Sequence, residues 1–141
     1  MLAELTAIKT VLSALVPAGI GDMSGHLPPF ASVWSGPGNR PEDESAGGPD
    51  GDEFSGRVGV TFTAARTDAA LKLAADGITA LTPNRCPALL TVAGRTAWIE
   101  FAGAELARID TDVTLPGSNT HPAYVVAHFD VHSIPATEEA P

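Results

Sequence analysis

The stretch RVGVTFTAARTDAALKLAADGITAL, residues 57–81, changes its hydrophobic period once along its length. Val58, Val60 and Phe62 alternate with Gly59, Thr61 and Thr63, the two-residue period of a half-buried strand. From Thr67 the period becomes helical and carries Leu71, Ala74, Ala75, Ile78 and Leu81 inward. Thr67 is the expected N-cap, Asp68 sits near the positive end of the helix dipole, Gly77 weakens the second half and Pro83 ends it. A strand that runs straight into an amphipathic helix must bury one face of each, so the rest of the chain has to complete a layer of sheet against a layer of helix.

The other segments fit that demand. Leu2, Leu5, Ile8, Leu12, Leu15 and Val16 recur at helical spacing, which predicts a helix over 2–16 ended by Pro17 and Gly19. PFASVWS at 29–35 reads as a short edge strand. Extended pieces are expected at 88–93, 96–102 and 105–114, although AGAELARI also suits a helical turn. AYVVAHFDVHSI closes the chain as a strand, with Val125, Phe129 and Val131 on one face and Tyr124 and Val126 on the other. The expected fold is α+β: two helices packed on one face of a mostly antiparallel or mixed sheet, in a single domain over 1–135 with a frayed tail at 136–141.

Residues 36–56 form an exception, an acidic, Gly/Pro-rich loop. Glu42, Asp43, Glu44, Asp50, Asp52 and Glu53 stand among glycines and prolines that build no core. Such a stretch is either a solvated surface loop or, because it exceeds the usual length of a connection, a segment that orders against a partner. Phe54 is its one bulky apolar residue and the natural anchor for such ordering.

Charge and cysteine usage narrow the function classes. The formal net charge of −9 disfavours tight binding to nucleic acid or to an anionic membrane, while leaving room for DNA to slide past a like-charged wall. With Cys86 as the single cysteine, no disulfide forms within the chain and a reducing compartment is expected. The apolar N-terminus lacks the basic region of a signal peptide and is interrupted by Glu4 and Lys9, and no apolar run reaches the length of a membrane span. A soluble protein without a membrane partner is expected.

Catalytic constellations are weak. His128, Asp130 and His132 share one strand face, but the two histidines are about 13 Å apart on a straight strand, too far for one ion. Asp130 with either histidine needs His121 or a residue from elsewhere to complete a shell. Cys86 has no histidine paired with it by sequence logic, no serine sits in a nucleophile elbow, and SGPG at 35–38 lacks the lysine and helix start of a phosphate loop. The acidic loop does not match the order of a calcium-binding loop, and its carboxylates are too numerous and too close to act as a tuned acid/base pair, which requires burial to separate the pKa values. Trp34 and Trp98 belong to strand-like segments as core or sheet-face residues, and Arg57 and Arg95 read as isolated charges. No catalytic residue, metal or other cofactor is expected.

Taken in order, the short N-terminal helix, the strand, the variable loop, the unit at 57–81 and the ending DTDVTLPGSNTHPAYVVAHFDVHSIP resemble the tail terminator proteins of long-tailed, siphovirus-type bacteriophages. In those proteins an acidic residue precedes a polar turn and a Pro-aromatic-led closing strand; Asp110, Asp112, Pro122, Tyr124 and Phe129 occupy these places here. The resemblance covers roughly 1–134. It implies a non-enzymatic structural protein of the virion, assembled in the host cytoplasm as a homo-oligomeric ring, typically a hexamer. Such a ring caps the tail tube protein, stops its polymerisation and meets the head connector or stopper, with DNA passing through the lumen. Under this reading the residues expected to meet partners are Glu42, Asp43, Glu44, Asp50, Asp52, Glu53 and Phe54. A head-closure or connector protein of the same assembly, a small metal-binding module using His128, Asp130 and His132, and a domain with a Lys-poor surface suited to high salt remain as alternatives.

Overall fold

The computed structural model describes residues 2–23, 26–35 and 53–136, and over these the chain is an α+β fold. Helix α1 (Leu2–Leu12) is followed by β1 (Ala18–Ile20) and β2 (Phe30–Ser35). Then come β3 (Phe54–Ala64), helix α2 (Thr67–Leu81), β4 (Ala88–Val92), β5 (Arg95–Ala104), β6 (Arg108–Ile109) and β7 (Ala123–Pro135). The strand order is β1-β2-β3-β7-β5-β4, with β6 paired to β7 beyond the end of β5. All pairs are antiparallel except β1 with β2.

The centre is the long β3–β7 pair, in register from Phe54 opposite Ser133 to Ala64 opposite Ala123. Val58, Val60 and Phe62 of β3 and Val125, Ala127, Phe129 and Val131 of β7 point to the helix side and are buried, as their two-residue period requires. Helix α2 covers β3 and β7 with Ala70, Leu73, Ala74, Gly77, Ile78 and Leu81. Helix α1 contacts α2 and also β1, β2 and β4, elements from both ends of the strand order, so the sheet curls around it. Each large apolar side chain buried in this layer contributes roughly 1.5–3 kcal/mol.

Several local expectations are corrected. Helix α1 stops at Leu12 and continues as turns, because after Val16 the chain must swing into β1 beside β2. That added strand makes β1, not β2, the edge. Arg66 with extended backbone, not Thr67, is the N-cap of α2, and Leu71 and Ala75 face solvent while Ala70 and Leu73 turn inward. The glycine at 77 serves packing: a Cβ there would lie 2.3 Å from Phe62, so the helix approaches β3 more closely than alanine allows. Of 105–114, only Arg108 and Ile109 are strand.

The acidic segment is shorter than expected at its C-terminal end. Phe54, Ser55 and Gly56 belong to β3, and Phe54 is 3% exposed within the core. Phe54 is therefore not an exposed anchor: its position opposite Ser133 directs the ring to the helix side.

Among the described residues Glu4, Thr82 and Ser133 are polar and buried. Glu4 on α1 is 2% exposed, and its Oε2 lies 3.9 Å from Nε of Arg95 at the start of β5. Arg95 in turn donates from Nε to Ser133 Oγ at 2.6 Å and from its Nη2 to the Ser133 carbonyl at 3.1 Å. The expected isolated arginine is thus the hinge of a network that ties helix α1 to β5 and β7, and the interruption of the apolar helix at Glu4 has a structural role.

Candidate functional site

The face of the sheet opposite the helices is left open by the described chain and carries the even-numbered residues of β7. Three rows cross it. In the first, Trp34, Gly59 and His128 occupy paired positions on β2, β3 and β7. A Cβ on Gly59 would lie 2.2 Å from the Trp34 ring, so this glycine lets the indole lie across β3. Trp34 Nε1 donates to Thr61 Oγ1 at 2.9 Å, and the ring meets His128 edge-on at 6.0 Å between centroids. His128 Nε2 donates to Glu105 at 2.8 Å. Glu105 reaches it because β5 breaks register between Phe101 and Gly103, where Gly103 takes a φ of 143°.

In the second row Arg57 Nε donates to Asp130 Oδ1 at 2.7 Å. In the third, Ser55 Oγ and His132 Nδ1 share a hydrogen bond of 2.9 Å, Trp98 stacks on His132 at 5.3 Å with the planes 23° apart, and Leu89 of β4 lies beyond Trp98 at 82% exposure. The supposedly isolated Arg57 is therefore paired.

The three residues considered as metal ligands do share a face, but each is engaged sideways by another element: Asp130 and His132 by Arg57 and Ser55 of β3, and His128 by Glu105 after β5. Directly opposite partners across a ladder are nearer than alternate residues along one strand, which explains the preference. Among the described residues no group of three His, Cys, Asp or Glu side chains is placed to hold a metal ion. His121, the suggested completing ligand, is bonded through Nδ1 to the Val113 carbonyl at 2.6 Å. Glu42, Asp43, Glu44, Asp50 and Asp52 lie outside the described residues; Glu53 is exposed just before β3.

At the end of the open face nearest Tyr124 lies a cleft of about 620 Å³. Its floor comes from Phe30 and Ser32 of β2, Thr61 and Thr63 of β3 and Tyr124 of β7, and its walls from residues 21–23 and 26–28 and from Asp110, residues 113–116 and Pro122. The lining is mainly apolar, through Leu27, Pro28, Val113 and Leu115, with Asp22, His26 and Asp110 among its polar groups and no lysine or arginine. Its size is that of sites that take a small ligand or inserted side chains. Sequence reasoning passed over it, since its wall residues come from turn-rich stretches far apart in the chain, and the sheet order brings them together beside Tyr124.

One solved structure, of a chain whose name carries no activity, aligns over 99% of this chain and 94% of its own length, with a TM-score of 0.50 and 14% identity. At that identity the likeness concerns the fold alone. No protein-family profile matches the chain, and no curated protein matches it significantly. Among the described residues no helix is long and apolar enough to cross a membrane.

On the open face Arg57 is paired with Asp130 and His128 with Glu105, which lowers the cost of removing water from these groups, while Glu100 stands opposite Asp130 on β5; the half-buried tryptophans offer large, rigid contact area.

Proposed function

We propose that this protein is a structural subunit of a bacteriophage tail, a tail terminator that assembles into a ring at the head-proximal end of the tail tube. There it stops tube polymerisation and joins the tube to the head connector. The observation that carries this reading is the uncovered sheet face, where Trp34, Trp98 and the exposed Leu89 surround side chains already paired with one another. A protein that works as a free monomer has little use for such a surface, whereas a subunit covers it on assembly. Two helices on one face of a curled sheet agree with the architecture that the resemblance implies, and the net charge of −9 suits a wall past which DNA moves without sticking. The role is mechanical, without catalytic chemistry.

Native mass spectrometry over a range of concentrations, followed by electron microscopy of the protein mixed with tail tubes, tests the proposal. A closed ring of metal-free subunits, six in the expected case, and its binding to tube ends are the expected results. A protein that stays monomeric and leaves tube ends bare, or that carries one tightly held metal per chain, overturns it.

A further inference from the structure

One row of the open face carries an excess of negative charge. Arg57 on β3, Asp130 on β7 and Glu100 on β5 occupy paired positions across three strands, and the one cation among them is bound to Asp130. Like charges directly opposite one another are unfavourable, so a further cation beside Glu100 would stabilise the row. Among the described residues Glu100 forms no salt bridge. Two residues before it on the same strand and face is Trp98, and opposite Trp98 on β4 is Leu89, 82% exposed. The described chain also offers a cation without a partner. Arg57 is bound to Asp130, Arg66 to Asp68, and Arg95 to Glu4 and Ser133, and Arg85 lies over the Phe101 ring, whereas the exposed Arg108 takes part in none of these contacts. Leu106, two residues before Arg108, is 86% exposed. The acidic neighbours of Arg108 in the chain are engaged, Glu105 by His128 and Asp110 by the Asp112 amide.

We infer that Arg108 of one copy pairs with Glu100 of the next, with Leu106 set against Trp98 and Leu89. This rests on the ring reading and names the contact that builds the ring. A single copy cannot make the pair internally. Arg108 stands opposite Tyr124, and Glu100 opposite Asp130 six residues further along β7, so the two rows are roughly 20 Å apart along the strand, beyond the reach of an arginine side chain. Charge decides the occupant: the acidic stretch from Glu42 to Glu53 is repelled by Glu100 and Asp130, whereas Arg108 is attracted. Order decides the symmetry. An apolar residue stands two positions before the charge in both Leu106–Arg108 and Trp98–Glu100, so the two segments match when aligned in parallel, and β5 and β6 already run in the same direction within one copy. A two-fold axis that keeps strands parallel lies along them and produces no shift in that direction, so it cannot bring these two rows together. The contact is therefore head-to-tail, and a series of such contacts ends only when the ring closes.

Sedimentation velocity over a concentration series compares assembly of the full chain with that of Arg108→Glu, Glu100→Arg, Leu106→Ser and the double variant Arg108→Glu/Glu100→Arg, and thermal melting followed by circular dichroism serves as a control for folding. Each single variant is expected to melt close to the parent while raising the concentration at half-assembly by about tenfold or more. The double variant recovers most of that loss, because it exchanges the two charges and keeps their attraction. A parent that forms rings, with every single variant assembling equally well, overturns this contact and leaves the ring proposal standing. A parent that stops at dimers overturns the head-to-tail alignment. A parent that never self-associates also overturns the contact, and tube binding then decides the ring proposal separately. A loss confined to Glu100→Arg, with Arg108→Glu assembling like the parent, assigns the Glu100 position to a cation of another partner and overturns the contact between copies.

Discussion

On the helix side of β7, Ala123, Val125, Ala127, Phe129 and Val131 are buried, and their neighbours are other apolar side chains. On the opposite side of the same strand, Tyr124, Val126, His128, Asp130 and His132 remain half-buried, and the last three are each held by a group from another element. The two sides share one backbone and one register, yet the first is completed by the chain's own helices and the second is left as a patterned surface. Hydrophobic burial is non-directional and tolerates many arrangements, whereas the open side depends on individual pairings across strands. The difference separates the two sides in energetic terms: loss of covered-side volume is expected to endanger the fold, and change on the open side to spare it.

That division can be broken experimentally. Phe129→Ala, on the covered side and fully buried, is expected to destabilise the protein by about 3–5 kcal/mol in urea unfolding. A loss under about 1 kcal/mol would mean that the helix layer is loosely packed. Gly77→Ala provides a sharper case because helix propensity favours alanine by about 1 kcal/mol. With a new Cβ 2.3 Å from the Phe62 ring, the substitution is instead expected to cost about 1–3 kcal/mol, so the sign of the change decides whether packing prevails.

Gly59→Ala is the matching change on the open side. There the clash is with the outer part of the Trp34 side chain, which has solvent to move into, so the expected loss is about 1 kcal/mol or less together with a red-shifted tryptophan emission. An unfolding effect as large as that of Gly77→Ala would erase the distinction between the two sides. Smallest of all, a double-mutant cycle on Arg57 and Asp130, both partly exposed, should return a coupling of about 0.2–1 kcal/mol that shrinks as salt is added. A larger, salt-independent coupling would mark this pair as part of the core framework.

Much of the architecture is legible from the residues. Helix α2 and the paired strands β3 and β7 follow from period and β-branched content, and β2 matches its segment at Phe30–Ser35. β1 escapes notice because three residues, AGI, carry no period to detect, and its partner β2 is found only by folding. Phe54 is misread because its neighbours in sequence are acidic and small, while its burial depends on Ser133, far away in the chain. Glu4 and Arg95 are misread for the same reason: a charge in an apolar helix and a lone arginine acquire meaning only when the sheet brings them together with Ser133.

The candidate surface divides likewise. The sequence by itself determined that His128, Asp130 and His132 share a face, since alternation along a strand is a local property of the backbone. It also determined the α+β class, because the change from a two-residue to a 3.6-residue period is written in neighbouring residues. Only the tertiary structure decided that these three side chains are spent on Glu105, Arg57 and Ser55, that Gly59 makes room for Trp34, and that the segments before β2 and before β7 enclose a cleft beside Tyr124. The physical reason is that strand order and register set the distances between residues remote in sequence, and those distances arise from burying the whole core at once.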